Sequence, residues 1–153
     1  MGESIRGLGE KQIKMIFYRY RLKLSYSEIG DMLGTSKQNV HSTLKRINRN
    51  YTECKEIVEL VELASNPFVE VTKGSNVMDV SDRVLEVADS EGIKLRGNKS
   101  EIITWIKWHF NMDDLIIKEE GGIVIKNDGS LMKVSDIILK KIKALLNQYG
   151  QQK

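Results

Sequence analysis

Ser25-Tyr26-Ser27-Glu28-Ile29-Gly30-Asp31-Met32-Leu33-Gly34-Thr35-Ser36-Lys37-Gln38-Asn39-Val40 holds two helix starts ten residues apart, with a helix stop between them. Ser25 through Glu28 is a capping box, in which the serine hydroxyl and the glutamate carboxylate each satisfy a backbone N–H that a first turn leaves unpaired. Ile29, Met32 and Leu33 supply the buried side of this helix, and Gly34 ends it. Thr35-Ser36-Lys37-Gln38 is a second box, of the Thr-x-x-Gln form, and opens the next helix. Two short helices across a glycine turn predict a helix-turn-helix. Its second helix must project far enough to enter a major groove. Buried Ile29, small Gly30 at the helix crossing, buried Leu33, turn residue Gly34, then buried Val40 and Leu44 is the order that geometry needs. An ordinary αα-hairpin is the alternative; the two caps, the small residue, the turn glycine and the basic surroundings together favour the helix-turn-helix.

Working outward, Ile13, Ile16, Phe17 and Tyr20 recur at i, i+3, i+4 and i+7 and predict a first helix with that face buried. On the other side the third helix is expected to be long. Val40, Leu44, Ile47, Tyr51, Cys54, Val58 and Val61 alternate steps of four and three, the seam of a coiled coil over roughly three heptads. Val40 and Leu44 are needed inside the module, whereas the later positions are available to a second chain, giving a homodimer. Ile57, Leu60 and Ala64 widen the stripe, and packing on the rest of the chain is its other use.

The outer face of the third helix carries Ser36, Lys37, Gln38, Asn39, His41, Ser42, Lys45 and Arg46 and almost no acids. Amides, hydroxyls and bases are the groups that read base edges: Asn or Gln bonds adenine bidentately, and Lys reaches guanine O6 and N7. Ser36, Lys37, Gln38, Asn39, His41, Ser42 and Lys45 are the base-contact candidates, led by Lys37, Gln38, His41 and Ser42. Asn39 has a second use, bonding backbone at the helix start. Arg19, Arg21, Lys23, Ser25, Tyr26, Arg46 and Arg49 are the phosphate candidates, with Ser25 and Tyr26 at the positive end of the second helix.

Charge supports this reading only when the chain is divided. The 153 residues carry a net charge of +3. Residues 1–55 hold eleven Lys/Arg against five Asp/Glu, a net of +6, and the remainder carries a net of −3. A basic module joined to a mildly acidic partner or sensor domain has this distribution; a solvated basic face is the bland equivalent.

The sole proline, in Ser65-Asn66-Pro67, marks the end of the helical region and the expected boundary between domains 1–65 and 66–153. Beyond it the pattern is α+β. Phe68 to Thr72 predicts a strand, and Asn76 caps a helix with Val77, Val80, Val84 and Val87 on its face and Gly92 as its stop. Ile93-Lys94-Leu95 predicts a short strand, and Asn98 to Glu101 caps a helix carrying Ile102, Ile106 and Phe110. Short strands are expected over 115–118, 122–126 and 131–134, with Gly121-Gly122 as a tight turn and Asp128-Gly129 as a hairpin turn. Ser135 starts a C-terminal helix with Ile138, Ile142, Leu145 and Tyr149 on its face. The expected fold is thus an N-terminal all-α helix-turn-helix module, a small α+β domain for dimerisation or regulation, and a C-terminal helix.

Other chemistry finds no support. His41, His109 and Cys54 form no pair with metal-ligand spacing, and His109 with Asp113 and Asp114 reads as a solvated helix end. No nucleophile–base set can be assembled, so no enzyme, metal or cofactor is expected. Cys54 is expected to be a small core residue, and a single cysteine allows no internal disulfide. Trp105 and Trp108 are read as an edge of the core, with a pocket or dimer face as the alternatives. There is no membrane-length apolar run, no signal-peptide pattern, and Ser4 is too early for a myristoylation motif, which predicts a cytoplasmic protein.

From Leu8 to about Asn50 the sequence resembles the helix-turn-helix of the Tfx family of archaeal DNA-binding proteins, a module similar to region 4 of bacterial sigma factors. The carrying residues are Leu8, Gln12, Glu28-Ile29, Leu33-Gly34-Thr35-Ser36 and Asn39-Val40. Val69-Glu70-Val71-Thr72, Ala88-Asp89 and Gly92-Ile93-Lys94 resemble that family's C-terminal domain, so the likeness spans roughly residues 8–134. Gly30 stands where such modules more often have alanine, and Tyr26 where a polar residue is common. The resemblance implies cytoplasmic transcription regulation on double-stranded DNA. The sequence thus predicts a dimeric regulator reading the major groove with the helix starting at Thr35. A ligand- or metal-responsive sensor in the α+β domain, or an adaptor contacting polymerase and the transcription machinery, is the alternative.

Overall fold

The computed structural model describes Ile5 and residues 7–150. Packing divides the chain into two compact units, residues 1–55 and 56–153. The first holds α1 (Glu10–Ile16), a π-helical turn (Phe17–Arg21), α2 (Tyr26–Leu33) and the start of α3 (Lys37–Ser65), which runs through the division. The second holds β1 (Phe68–Val71), α4 (Val77–Ser90), α5 (Lys99–His109), β2 (Met112–Asp113), β3 (Ile116–Ile117), β4 (Gly121–Ile125), β5 (Leu131–Ser135) and α6 (Asp136–Tyr149). An all-α helix-turn-helix module followed by an α+β region and a C-terminal helix is the layout the sequence predicts.

The core of the first unit is small: Met15, Ile29, Val40, Leu44 and Ile47 are buried, with Leu8, Ile16, Tyr18, Leu24, Tyr26 and Leu33 packed around them. The burial of α1 differs from its apolar period. Met15 is the buried residue, while Phe17 and Tyr20 of the expected face are 51% and 46% exposed. At Leu22 the backbone N–H donates to the Phe17 carbonyl, a wide turn that breaks the 3.6 period on which the expectation rested.

In the second unit β1, β4 and β5 form an antiparallel sheet in that spatial order, with Phe68 opposite Val124 and Ile125 opposite Leu131. Strand alternation sends successive side chains to opposite faces. Val69, Val71, Ile123 and Ile125 therefore join Val77, Val80, Val84, Ile102, Ile106 and Phe110 of α4 and α5 in one core. Val124 and Val134 join Leu63, Ile138 and Leu139 in another. Gly121 and Gly122 are the first residues of β4, not a turn. A Cβ on Gly121 would stand 2.9 Å from the Val134 carbonyl oxygen, and one on Gly122 would stand 2.8 Å from Val134 Cγ2. Their bareness is what lets β5 lie close.

Ile93-Lys94-Leu95 forms no strand. Ile93 N–H turns back to the Ala88 carbonyl to finish α4, leaving Arg96 N–H to the Gly129 carbonyl as the bond toward the β4–β5 hairpin tip. On α6 the buried residues are Ile138 and Leu139, and Leu145 and Tyr149 are 50% and 58% exposed, so the expected face persists only for the first turns. Trp105 packs against the core as expected, but Trp108 is 82% exposed.

Candidate nucleic-acid interface

Local hydrogen bonds mark the starts of α2 and α3. Ser25 Oγ accepts the Glu28 N–H at 3.2 Å, and the Ser25 N–H donates to the Glu28 carboxylate at 2.7 Å. Those bonds from the Ser25 backbone and hydroxyl hold the Glu28 carboxyl below its ordinary range. Gly34 takes the left-handed conformation, φ 65 and ψ 40, and closes α2 at small steric cost.

The start of α3 differs from the expected box. The helix begins at Lys37, and its cap is Ser36, whose Oγ accepts the Asn39 N–H at 3.0 Å. Thr35 lies in the turn, where its Oγ1 accepts from Asn39 Nδ2 at 2.8 Å. Two adjacent hydroxyls competed for one cap, and the turn geometry after Gly34 selects the second. Gly30 faces this turn so closely that a Cβ would meet the Thr35 carbonyl oxygen at 2.7 Å.

Val40, Leu44 and Ile47 are buried, which directs the opposite side of α3 outward. Gln38, Ser42, Lys45 and Arg49, at i, i+4, i+7 and i+11, share that outer side and are all exposed. Asn39 and Arg46 flank it on one edge, Lys37 and His41 on the other, and all four are exposed. No acid occurs from Lys37 to Asn50. Three of the base-contact candidates have hydrogen-bond partners within the protein, beginning with Ser36 as the cap and the Asn39 side chain tied to Thr35. The Ser42 hydroxyl donates to the Asn39 carbonyl at 3.2 Å.

Among the phosphate candidates Arg21, Lys23, Ser25, Arg46 and Arg49 are exposed, while Arg19 and Tyr26 are half-buried. Lys23 sits at φ 59 in the bend before α2. Arg19 Nη1 donates to the Leu24 carbonyl at 3.0 Å, and its guanidinium lies 4.5 Å from the Tyr26 ring centroid. Tyr26 also meets the His41 imidazole, with centroids 5.2 Å apart and planes tilted by 57°. The structure thus brings together three candidates that the sequence treats separately.

A groove of about 540 Å³ opens elsewhere on the same unit, lined by apolar Ile5, Leu8, Ile16, Ile47 and Tyr51 with half-buried Cys54 at its edge. Tyr20 Oη donates to Asn48 Oδ1 across it at 2.6 Å. Sequence reading missed this groove. Its signal was present in the apolar stripe of α1 and the seam of α3, which together exceed what a five-residue core can cover.

Among the described residues no group of three or more His, Cys, Asp or Glu side chains could hold a metal ion. No helix among them is long and apolar enough to cross a membrane.

Comparison with known proteins joins this geometry to a lineage. The family model described as the C-terminal part of the DNA-binding protein TFX matches residues 55–133. A protein of Methanocaldococcus jannaschii, named as a candidate transcriptional regulatory protein, is 31% identical over 127 residues, covering 81% of this chain and 92% of its own. One of Thermococcus kodakarensis with the same designation is 31% identical over 134 residues, 87% of each chain. A third, from Pyrococcus furiosus, is 27% identical over 137 residues, covering 89% of this chain and 96% of its own.

Proposed function

The chain belongs to the TFX family of DNA-binding transcriptional regulators, and from that premise we propose that it is a cytoplasmic, sequence-specific regulator that reads the major groove of double-stranded DNA with α3. One observation carries the reading: the acid-free outer side of α3, Gln38, Ser42, Lys45 and Arg49 with Lys37 and His41 beside them, stands exposed directly opposite the residues that anchor the helix. Lys37, Gln38, His41, Ser42 and Lys45 read bases, Ser36 and Asn39 assist from the cap, and Arg21, Lys23, Ser25, Arg46 and Arg49 hold phosphates. Residues 1–65 act as the DNA-binding module with its long third helix, and residues 66–153 as the dimerisation or regulatory domain.

The reading includes a homodimer. Tyr51, Val58 and Val61 continue the α3 seam beyond the small core and are 68%, 50% and 56% exposed. Two copies joined there would present two recognition helices to two half-sites.

Selection of bound duplexes from a random pool, repeated at higher salt, tests both parts. A motif with two similar half-sites is the expected result. Retention without a motif, vanishing with salt, would leave only a basic surface. On the selected site Lys37→Ala should relax base preference, whereas Arg49→Ala should weaken all sequences alike and flatten the salt slope by about one. Identical effects on selected and random DNA would refute this sorting of contacts.

A further inference from the structure

We infer that Tyr26 is a positioning residue that sets the base selectivity of α3 through its ring, by holding His41, and not through its hydroxyl; the inference rests on the DNA-reading function proposed above. Tyr26 is the first residue of α2, directly after the Ser25 cap, and packs against the core of Met15, Ile29, Val40, Leu44 and Ile47. Its ring is therefore set by the capping box on one side and by burial on the other. His41 has no such anchor of its own. It is exposed, and among the described residues neither ring nitrogen takes a hydrogen bond from or gives one to the protein. The contact with Tyr26, 5.2 Å between centroids at a 57° tilt, is in the range of edge-to-face aromatic pairing. It restrains the imidazole while leaving both nitrogens available to a base edge.

Arg19 completes the arrangement. Its guanidinium lies over the Tyr26 ring at 4.5 Å, and its Nη1 bond to the Leu24 carbonyl fixes it to the bend that precedes α2. The π-helical turn, α2 and the recognition helix are thus linked through one aromatic ring. A side chain that reads bases costs less to immobilise on binding when its rotamer is already restricted. That is the contribution the geometry assigns to Tyr26, and it moves Tyr26 out of the set of phosphate contacts that its helix position alone suggests.

Tyr26→Leu keeps apolar volume against the core and removes the ring; Tyr26→Phe keeps the ring and removes the hydroxyl. On the selected duplex Tyr26→Leu should lower the ratio of specific to random affinity by roughly five- to tenfold, with the salt slope unchanged. Tyr26→Phe should match the parent protein. His41→Ala should cost less in the Tyr26→Leu background than in the parent, and circular dichroism showing Tyr26→Leu folded as the parent separates that coupling from a loss of folding. In the free protein, the His41 ring protons should show a ring-current shift by NMR that survives in Tyr26→Phe and is lost in Tyr26→Leu; His109, stacked on Trp105 at 4.2 Å, is the internal control.

Equal losses in the Phe and Leu variants, with a flatter salt slope, would make the hydroxyl a phosphate contact and overturn the inference. Full selectivity in Tyr26→Leu would overturn it as well. A parent protein without selectivity would overturn it together with the proposed function, and the NMR contact would then tell whether the stack or the DNA reading had failed.

Discussion

At the scale of single residues, the turn between α2 and α3 is decided by what is missing from Gly30. Alanine at a helical position is favoured over glycine by about 1 kcal/mol, so Gly30→Ala should stabilise α2 taken alone. A Cβ there would lie 2.7 Å from the Thr35 carbonyl oxygen and 3.3 Å from the Ser36 carbonyl carbon. Both are backbone atoms, and they also set the cap of α3. Overpacking of this kind costs about 1–3 kcal/mol, so the clash wins. We expect Gly30→Ala to lower the melting temperature of the first unit by about 5 °C, measured by circular dichroism. An unchanged or higher melting point would mean that the turn yields freely. The closeness of Gly30 was legible in the sequence, because a small residue between Ile29 and Leu33 has few other purposes. The choice of Ser36 over Thr35 was not, because both are good caps and the decision lies in the conformation that follows Gly34.

At the scale of elements, legibility follows locality. Helix starts with a complete local signal, Ser25, Asn76, Asn98 and Ser135, all cap their helices as expected. The placement of Gly121 in β4 depends on partners in β1 and β5 that no window of residues holds, whereas β2 and β3 pair with each other across two residues and the π-helical turn closes over five, both too short to show a period. The seam of α3 is an intermediate case: its period was readable, but which positions the monomer leaves uncovered was not. Val40, Leu44 and Ile47 are buried, and Val58 and Val61 are 50% and 56% exposed. Glutamate at either exposed position should therefore change the stability of the monomer by no more than about 0.5 kcal/mol. Across a two-helix interface it would set like charges together on the apolar seam. Val58→Glu and Val61→Glu are expected to shift sedimenting protein from dimer to monomer, with folding intact by circular dichroism. A dimer that survives both changes would place the interface away from this seam.

At the scale of the whole molecule, two facts run in parallel: charge is divided between a basic first unit and an acidic second one, and so is apolar burial. Among the described residues, five buried side chains form the core of the first unit, whereas twelve and five form the two cores of the second. A module of about 55 residues buries a smaller fraction of its surface and is marginal by size alone, so the unit proposed to meet DNA should be the first to unfold. The two units can be watched separately because both tryptophans, Trp105 and Trp108, lie in the second. Far-ultraviolet circular dichroism follows helices in both units, while fluorescence follows Trp105 leaving its core. Loss of ellipticity should begin at a lower temperature than the fluorescence transition. Selected duplex at one hundred times its dissociation constant should stabilise the first unit by about 2.7 kcal/mol, moving the early phase up toward the late one and leaving the fluorescence midpoint nearly fixed. Coincident transitions without DNA would show instead that α3, continuous from Lys37 to Ser65, couples the units into a single cooperative fold. Duplex would then raise both signals together, and events in the α+β unit would have a direct energetic route to the outer face of α3.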